Sequence, residues 1–408
     1  MKRGNGIERA AIAVLIVVGL QACGDDAVEQ TDNSQQDTCS PGEVLNPVSG
    51  ECQATDANNT DQNREDNSAP NSMVDVNNEP DPSNMNPGNQ DPNNASVGEN
   101  ADPGNNSMVV VPSGPVDPTC VDGQYTEALP NYEVDLSAEE MLYSPTNTRQ
   151  FVYDVLQKRY PFGRLLAERA PTTHFDCVDA FISNPGSASG VLDSLSTVVH
   201  ECGHIYDLDK GGFEGAHYAI TETLSFTCQN GDTTERFGKT FARSRIRDDQ
   251  FSVARPYCES GQGCDFYSGT YLDGDPDDSN FDSGDQGYNS VLEEATQYVN
   301  SLAIGYAFQD YYAGGTSERD GILTFLWYIG RYLHMARTQY PSAYEAIAGD
   351  PCWRQATLTV WGRAWLYLEA TEDIPQLGID DDEIEALVMD PTILNEIQLL
   401  RDREGCGG

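Results

Sequence analysis

All of the chain's aromatic residues, 4 Trp, 20 Tyr and 13 Phe, lie after Cys120, and this asymmetry decides where a packed domain can form. Between Gly24 and Pro118 stand 18 Asp and Glu and 17 Asn against one Arg, Arg64. Such a segment cannot bury enough apolar surface to offset its ordering entropy, so residues 23–118 are expected to form a disordered acidic tether. Within it, Cys39 and Cys52 flank Pro-Gly and Ser-Gly turn signals and read as a small disulfide-closed loop. Residues 119–408 then hold the material for a core. The net charge is -43, and the excess of acids persists after residue 118, with 47 acids against 19 bases. A surface of that sign repels phosphate backbones, which excludes nucleic acid as a partner.

Lys2, Arg3 and Arg9 precede an apolar run from Ala10 to Leu20 that ends in Leu20-Gln21-Ala22-Cys23. The run is too short to span a bilayer, and the whole resembles a bacterial lipoprotein signal with its lipobox. The resemblance implies that residues 1–22 are removed and that Cys23 is lipidated. It also implies a membrane partner through that anchor and a place in the cell envelope, at the outer membrane or cell surface. Ten cysteines remain, an even set suited to disulfides in an oxidising compartment.

Apolar spacing predicts helices near 138–143, 148–158, 190–204, 290–308, 316–338, 353–369 and 382–402. Residues 218–227 alternate apolar and polar, as a strand does. From Cys258 to Gly287 the chain is Gly- and Asp-rich loop, within which Cys258 and Cys264 could close a short disulfide.

Val198-Val199-His200-Glu201-Cys202-Gly203-His204 carries the chemistry. Residues four apart share a helix face, so both imidazoles can hold one Zn²⁺, and the adjacent Glu can reach a water activated there. Only five histidines exist in the chain, and two are spent here. Cys202 falls roughly 200° around the helix from His200 and faces away, towards a disulfide or a buried position. Asp207 could orient an imidazole or simply end a solvated helix.

The segment resembles the active-site helix of the zincin metallopeptidases. Position 210 is Lys, not the third His of metzincins, so the resemblance is to gluzincins, which take a Glu from a later helix. It implies an α+β zincin-like metallopeptidase domain over 119–408 with a mostly helical C-terminal part. Zn²⁺ would be held by His200, His204 and Glu293, with Glu201 as general base and a peptide or protein as substrate. Glu293 is favoured by Thr296, Gln297, Tyr298 and Val299 after it; Glu294, followed by Ala295, is the alternative, and Glu222, 18 positions after His204, a rival. His217 is a weaker rival, His174 and His334 read as structural, and His334 or Tyr288 could donate to an oxyanion. Alternating acids from Asp273 to Asp285 leave open a Ca²⁺ site, although they lack the Gly and Glu of an EF-hand, or a solvated loop. The competing function is a non-catalytic surface binding lipoprotein on a zincin scaffold; a zinc amidase of cell-wall peptide would share the site.

Overall fold

The computed structural model describes residues 109–172, 175–212, 215–253, 258, 264–275, 282–312 and 315–406, with two short strands at 43–45 and 52–54. Residues 1–22, Cys23, most of the tether, Cys39, His174 and the middle of the acidic loop at 276–281 lie outside the described residues. Two units are separable, Glu29–Gly104 and the remainder. In the first, β1 (Glu43–Leu45) pairs antiparallel with β2 (Cys52–Ala54).

In the second unit the chain is mostly helical, with few strands. Strands among its described residues occur only as two-stranded ladders: β3 (Val109–Val110) with β4 (Glu127–Ala128), and β5 (Gly215–Ala219) with β6 (Ser225–Gln229). The alternation at 218–227 therefore belongs to a hairpin whose turn occupies 220–224, not to one strand. No helix among the described residues is long and apolar enough to cross a membrane.

The organising element is α4 (Tyr288–Ala307), buried around nearly its whole circumference. It packs against α3 (Leu195–Gly211), α5 (Glu318–Gln339) and α6 (Pro351–Ala370). A helix buried on nearly every side has to sit at the centre. Trp327, Trp353 and Trp361 are fully buried, and Trp353 packs edge-on against Tyr288 at the start of α4. In front of this layer lie α1 (Thr148–Arg159) and α2 (Pro161–Arg169), separated by the Tyr160-Pro161 step. Proline is favoured at a first helical position and disfavours helix in the residue before it, so α2 starts as a new helix. The same chemistry splits the helix expected at 382–402 into α7 (Asp381–Val388) and α8 (Pro391–Glu404), where Asp390 accepts from Thr392 N at 2.7 Å. Likewise the helix expected over 190–204 is two, with a short turn at Ala188–Asp193 ending at Ser194, whose hydroxyl donates to Gly190 O.

The described part of this unit starts at Val109, ahead of the expected boundary at 119. Pro115 O accepts from Trp361 Nε1 at 3.2 Å and Arg401 Nη2 at 2.8 Å, and Asp122 receives Arg401 Nη2 at 2.6 Å. Gly362 lets this strap lie directly on α6, since a Cβ there would stand 2.2 Å from Asp122 O. Cys120 and Cys406 then join the two ends of the unit across a separation of 286 residues. Cys177–Cys202, Cys228–Cys352 and Cys258–Cys264 are the other described disulfides. Closing so long a loop restricts the unfolded chain most. Replacing Cys120 and Cys406 together by Ser is expected to cost about 2–5 kcal/mol, read as a lower guanidinium midpoint.

Candidate metal site

Helix α3 forms on Leu195, Val198, Val199 and Cys202, all fully buried, and ends at Gly212, whose φ of 67° suits glycine. The Cys177–Cys202 disulfide pins its rear face, so the opposite face carries His200 and His204 towards α4. Gly203 sets how near the two helices come: a Cβ on it would lie 1.9 Å from Gln297 Oε1.

Where the helices meet, one nitrogen each of His200 and His204 and one oxygen of Glu294 lie within 4.8 Å of one another. Glu294 Oε2 is 3.4 Å from His204 Nε2 and 3.8 Å from His200 Nε2. All three residues are buried. His200 Nε2 and Glu294 Oε2 have no hydrogen-bond partner, and neither does Glu201 Oε1. Buried polar atoms are nearly always satisfied, so bare lone pairs converging from two helices form a set suited to a cation.

The second nitrogens of both rings are held. Glu293 Oε2 lies 2.5 Å from His204 Nδ1, and Ser301 Oγ lies 3.0 Å from His200 Nδ1. With Nδ1 the donor in each case, both Nε2 atoms keep their lone pairs directed inward. Glu293, the favoured third ligand from the sequence, is thus placed on the outer nitrogen of His204, and Glu294, the alternative, joins the imidazoles. The two residues are about 100° apart on α4, so only one can face the cluster. Glu222 is exposed in the β5–β6 turn and is not in the cluster.

Glu293 is itself held. Gln297 Nε2 donates to Glu293 Oε1 at 3.0 Å and Asp207 Oδ2 at 2.9 Å, and Asn300 Nδ2 donates to Gln297 Oε1 at 2.9 Å. Arg363 Nη1 donates to Asn300 Oδ1 at 2.8 Å and its Nε to Glu127 Oε2 at 2.8 Å. Asp207 does not touch an imidazole; it anchors Gln297 and the backbone of Ala219. Burial lifts its carboxyl well above the usual range.

Burial lowers His200. For His204 burial also pulls downward, but Glu293 and Glu294 outweigh it and raise the ring well above its ordinary value. Burial works to raise Glu294, yet His204, His200 and Arg243 together hold it below the usual carboxylate range. Glu201 is pushed up to about 8, first by burial and then by Glu294 and Glu293, against the pull of His204. His204 and Glu294 thus stabilise each other's charged forms, and a cation at this point would take the place of the proton on His204 Nε2.

The remaining sequence candidates are engaged elsewhere. His217 Nδ1 meets Thr227 Oγ1 at 2.8 Å, and His334 Nδ1 meets Glu396 Oε1 at 2.9 Å. Tyr288 shares a hydrogen bond with Thr357 at 2.8 Å, deep in the core. Among the described residues of the acidic loop no ligand cluster forms. Cys258, Asp380 and Glu383 do approach one another, but the Cys258 sulfur is bonded to Cys264. Ser301, Gln297, Asn300 and Arg243 were not foreseen. The first three lie with Glu293 at a spacing of i, i+4, i+7 and i+8, a polar stripe on an otherwise apolar helix, which is a readable signal.

Comparison of the chain with protein-family models, with curated proteins and with solved structures finds no match.

Gly203→Ala is expected to cost about 1–3 kcal/mol by overpacking. Gln297 cannot swing aside without breaking its bonds to Glu293, Asp207 and Asn300. Urea unfolding of the wild type and the variant checks this.

Proposed function

We propose that the protein is a zinc-dependent peptidase of zincin-like type, with His200, His204 and Glu294 as the ion's ligands and Glu201 as general base. The observation that carries the reading is the convergence of buried, unpartnered ligand atoms from two helices, beside a carboxylate whose own Oε1 is bare. Two His and one Glu make a donor set that suits Zn²⁺ and leaves a position open. A purely structural ion would have no use for Glu201.

Bound zinc would supply a Lewis acid that polarises a carbonyl and acidifies a water. Glu201 takes a proton from the attacking water, its oxygen bonds to the carbonyl carbon, and the carbon–nitrogen bond breaks. The same carboxyl then gives that proton to the departing amine, so Glu201 ends as it began. Glu293 and Ser301 keep the imidazoles oriented throughout. The four described disulfides support work in an oxidising compartment, in keeping with the export signal expected in residues 1–22.

Metal content of the full chain tests the ligand set. One zinc is expected in the wild type and in Glu222→Ala, and none in Glu294→Ala. Glu293→Ala should bind about 10–100-fold more weakly, because it removes only the support of His204. If Glu293→Ala lost the ion and Glu294→Ala kept it, the assignment would be reversed.

Glu201→Gln is expected to keep its zinc while hydrolysis of a peptide library falls about 10²–10⁴-fold. Undiminished cleavage by this variant would remove Glu201 from the mechanism. A zinc-loaded wild type that cleaves nothing would leave a binding protein instead.

A further inference from the structure

A cation on His200, His204 and Glu294 accounts for the bare acceptors of the site and leaves one side chain unexplained. Arg243 is 1% exposed, and none of its three guanidinium nitrogens has a hydrogen-bond partner. It stands at the start of the helical turn Arg243–Ile246, held by a 2.7 Å bond from its backbone N–H to Gln286 O. Its guanidinium lies 5.5 Å from the ring centroid of Tyr271. The nearest carboxylate oxygen, Glu294 Oε1, is 3.7 Å from Nη1, too far for a hydrogen bond. Burying a cation with all its donors unmet is costly. The other buried arginines show the usual solution: Arg363 and Arg331 each satisfy several nitrogens with carboxylate, amide or carbonyl oxygens.

A metal ion cannot relieve this, because guanidinium has only donors and no lone pair to give. What is missing is an acceptor from outside the chain, next to Glu294. A peptide carbonyl would engage one or two N–H groups and leave the charge unbalanced; a carboxylate matches the planar fork and balances the charge. We propose that Arg243 binds a carboxylate of the substrate beside the ion site, so that the enzyme prefers peptides carrying a free carboxylate next to the bond it cuts. This rests on the metal-site reading above.

The test uses the full chain loaded with Co²⁺, whose visible absorption reports ligands arriving at the ion. Acetate is titrated into the wild type, Arg243→Met and Arg243→Lys, with acetamide as the neutral control. Both variants are expected to hold one Co²⁺. Acetate affinity should fall about 10–100-fold in Arg243→Met, the worth of a hydrogen bond to a charged group, while acetamide affinity stays unchanged. Arg243→Lys keeps the buried cation and guards against a folding failure; it should recover part of the loss without the two-pronged fit.

Equal acetate affinity in all three cobalt-loaded proteins would overturn the proposal and show that water meets the guanidinium. Loss of cobalt from both variants would also overturn it, making Arg243 only a counter-charge to Glu294. A wild type that binds no cobalt would overturn the metal-site reading itself. Displacement of acetate by acetyl-dialanine but not by its C-terminal amide would assign the carboxylate to a chain terminus. Displacement by acetyl-aspartyl amide would assign it to an acidic side chain.

Discussion

The close contact of Gly203 with Gln297 is what allows α3 and α4 to share one site. With only a hydrogen where a Cβ would stand 1.9 Å from Gln297 Oε1, the helix bearing both imidazoles can approach the helix bearing both glutamates. That approach puts Glu294 on the inner nitrogens and Glu293 on an outer one. A wider gap would leave three buried titratable groups, His200, His204 and Glu294, without one another, a costly state.

The polar groups behind the site form a continuous buried chain. It runs from His204 through Glu293, Gln297, Asn300 and Arg363 to Glu127 on β4. Tyr160 and Tyr367 add their hydroxyls to Arg363 and Glu127. In a low-dielectric interior such a network is stable only when each member is satisfied, and it then permits one arrangement. The orientation of an imidazole on α3 thereby depends on a strand far from it in sequence, inside the loop that Cys120 and Cys406 close.

Much of this could be read from the chain. The long helices α1, α4, α5 and α6 follow from apolar spacing within a residue or two of their ends. Breaks at Ser194 and Asp390-Pro391 do not show in apolar periodicity, which continues across them while the helices end there. The pairing of His200 with His204 needed only a helix. Choosing between Glu293 and Glu294 needs the rotation of α4 about its axis, which its all-round burial conceals: with no solvent-facing side, apolar periodicity alone gives no phase. The stripe Glu293, Gln297, Asn300, Ser301 holds that phase, pointing to polar partners behind the imidazoles. Arg243 was hidden for another reason. Its neighbours Arg245 and Arg247 make three bases in five residues of an acidic chain, which reads as surface charge, whereas the fold buries the first of them.

The Cys120–Cys406 bond also settles how the unit bears load. Tension arriving along the chain upstream of Cys120 meets a covalent link to the far end of the same unit, so the residues between form a closed loop outside the line of force. Pulling can strip the strap at Val109 to Pro118 from α6, but it cannot peel the helices away one by one from that end. The site's packing is thereby mechanically decoupled from whatever the N-terminal segment is attached to.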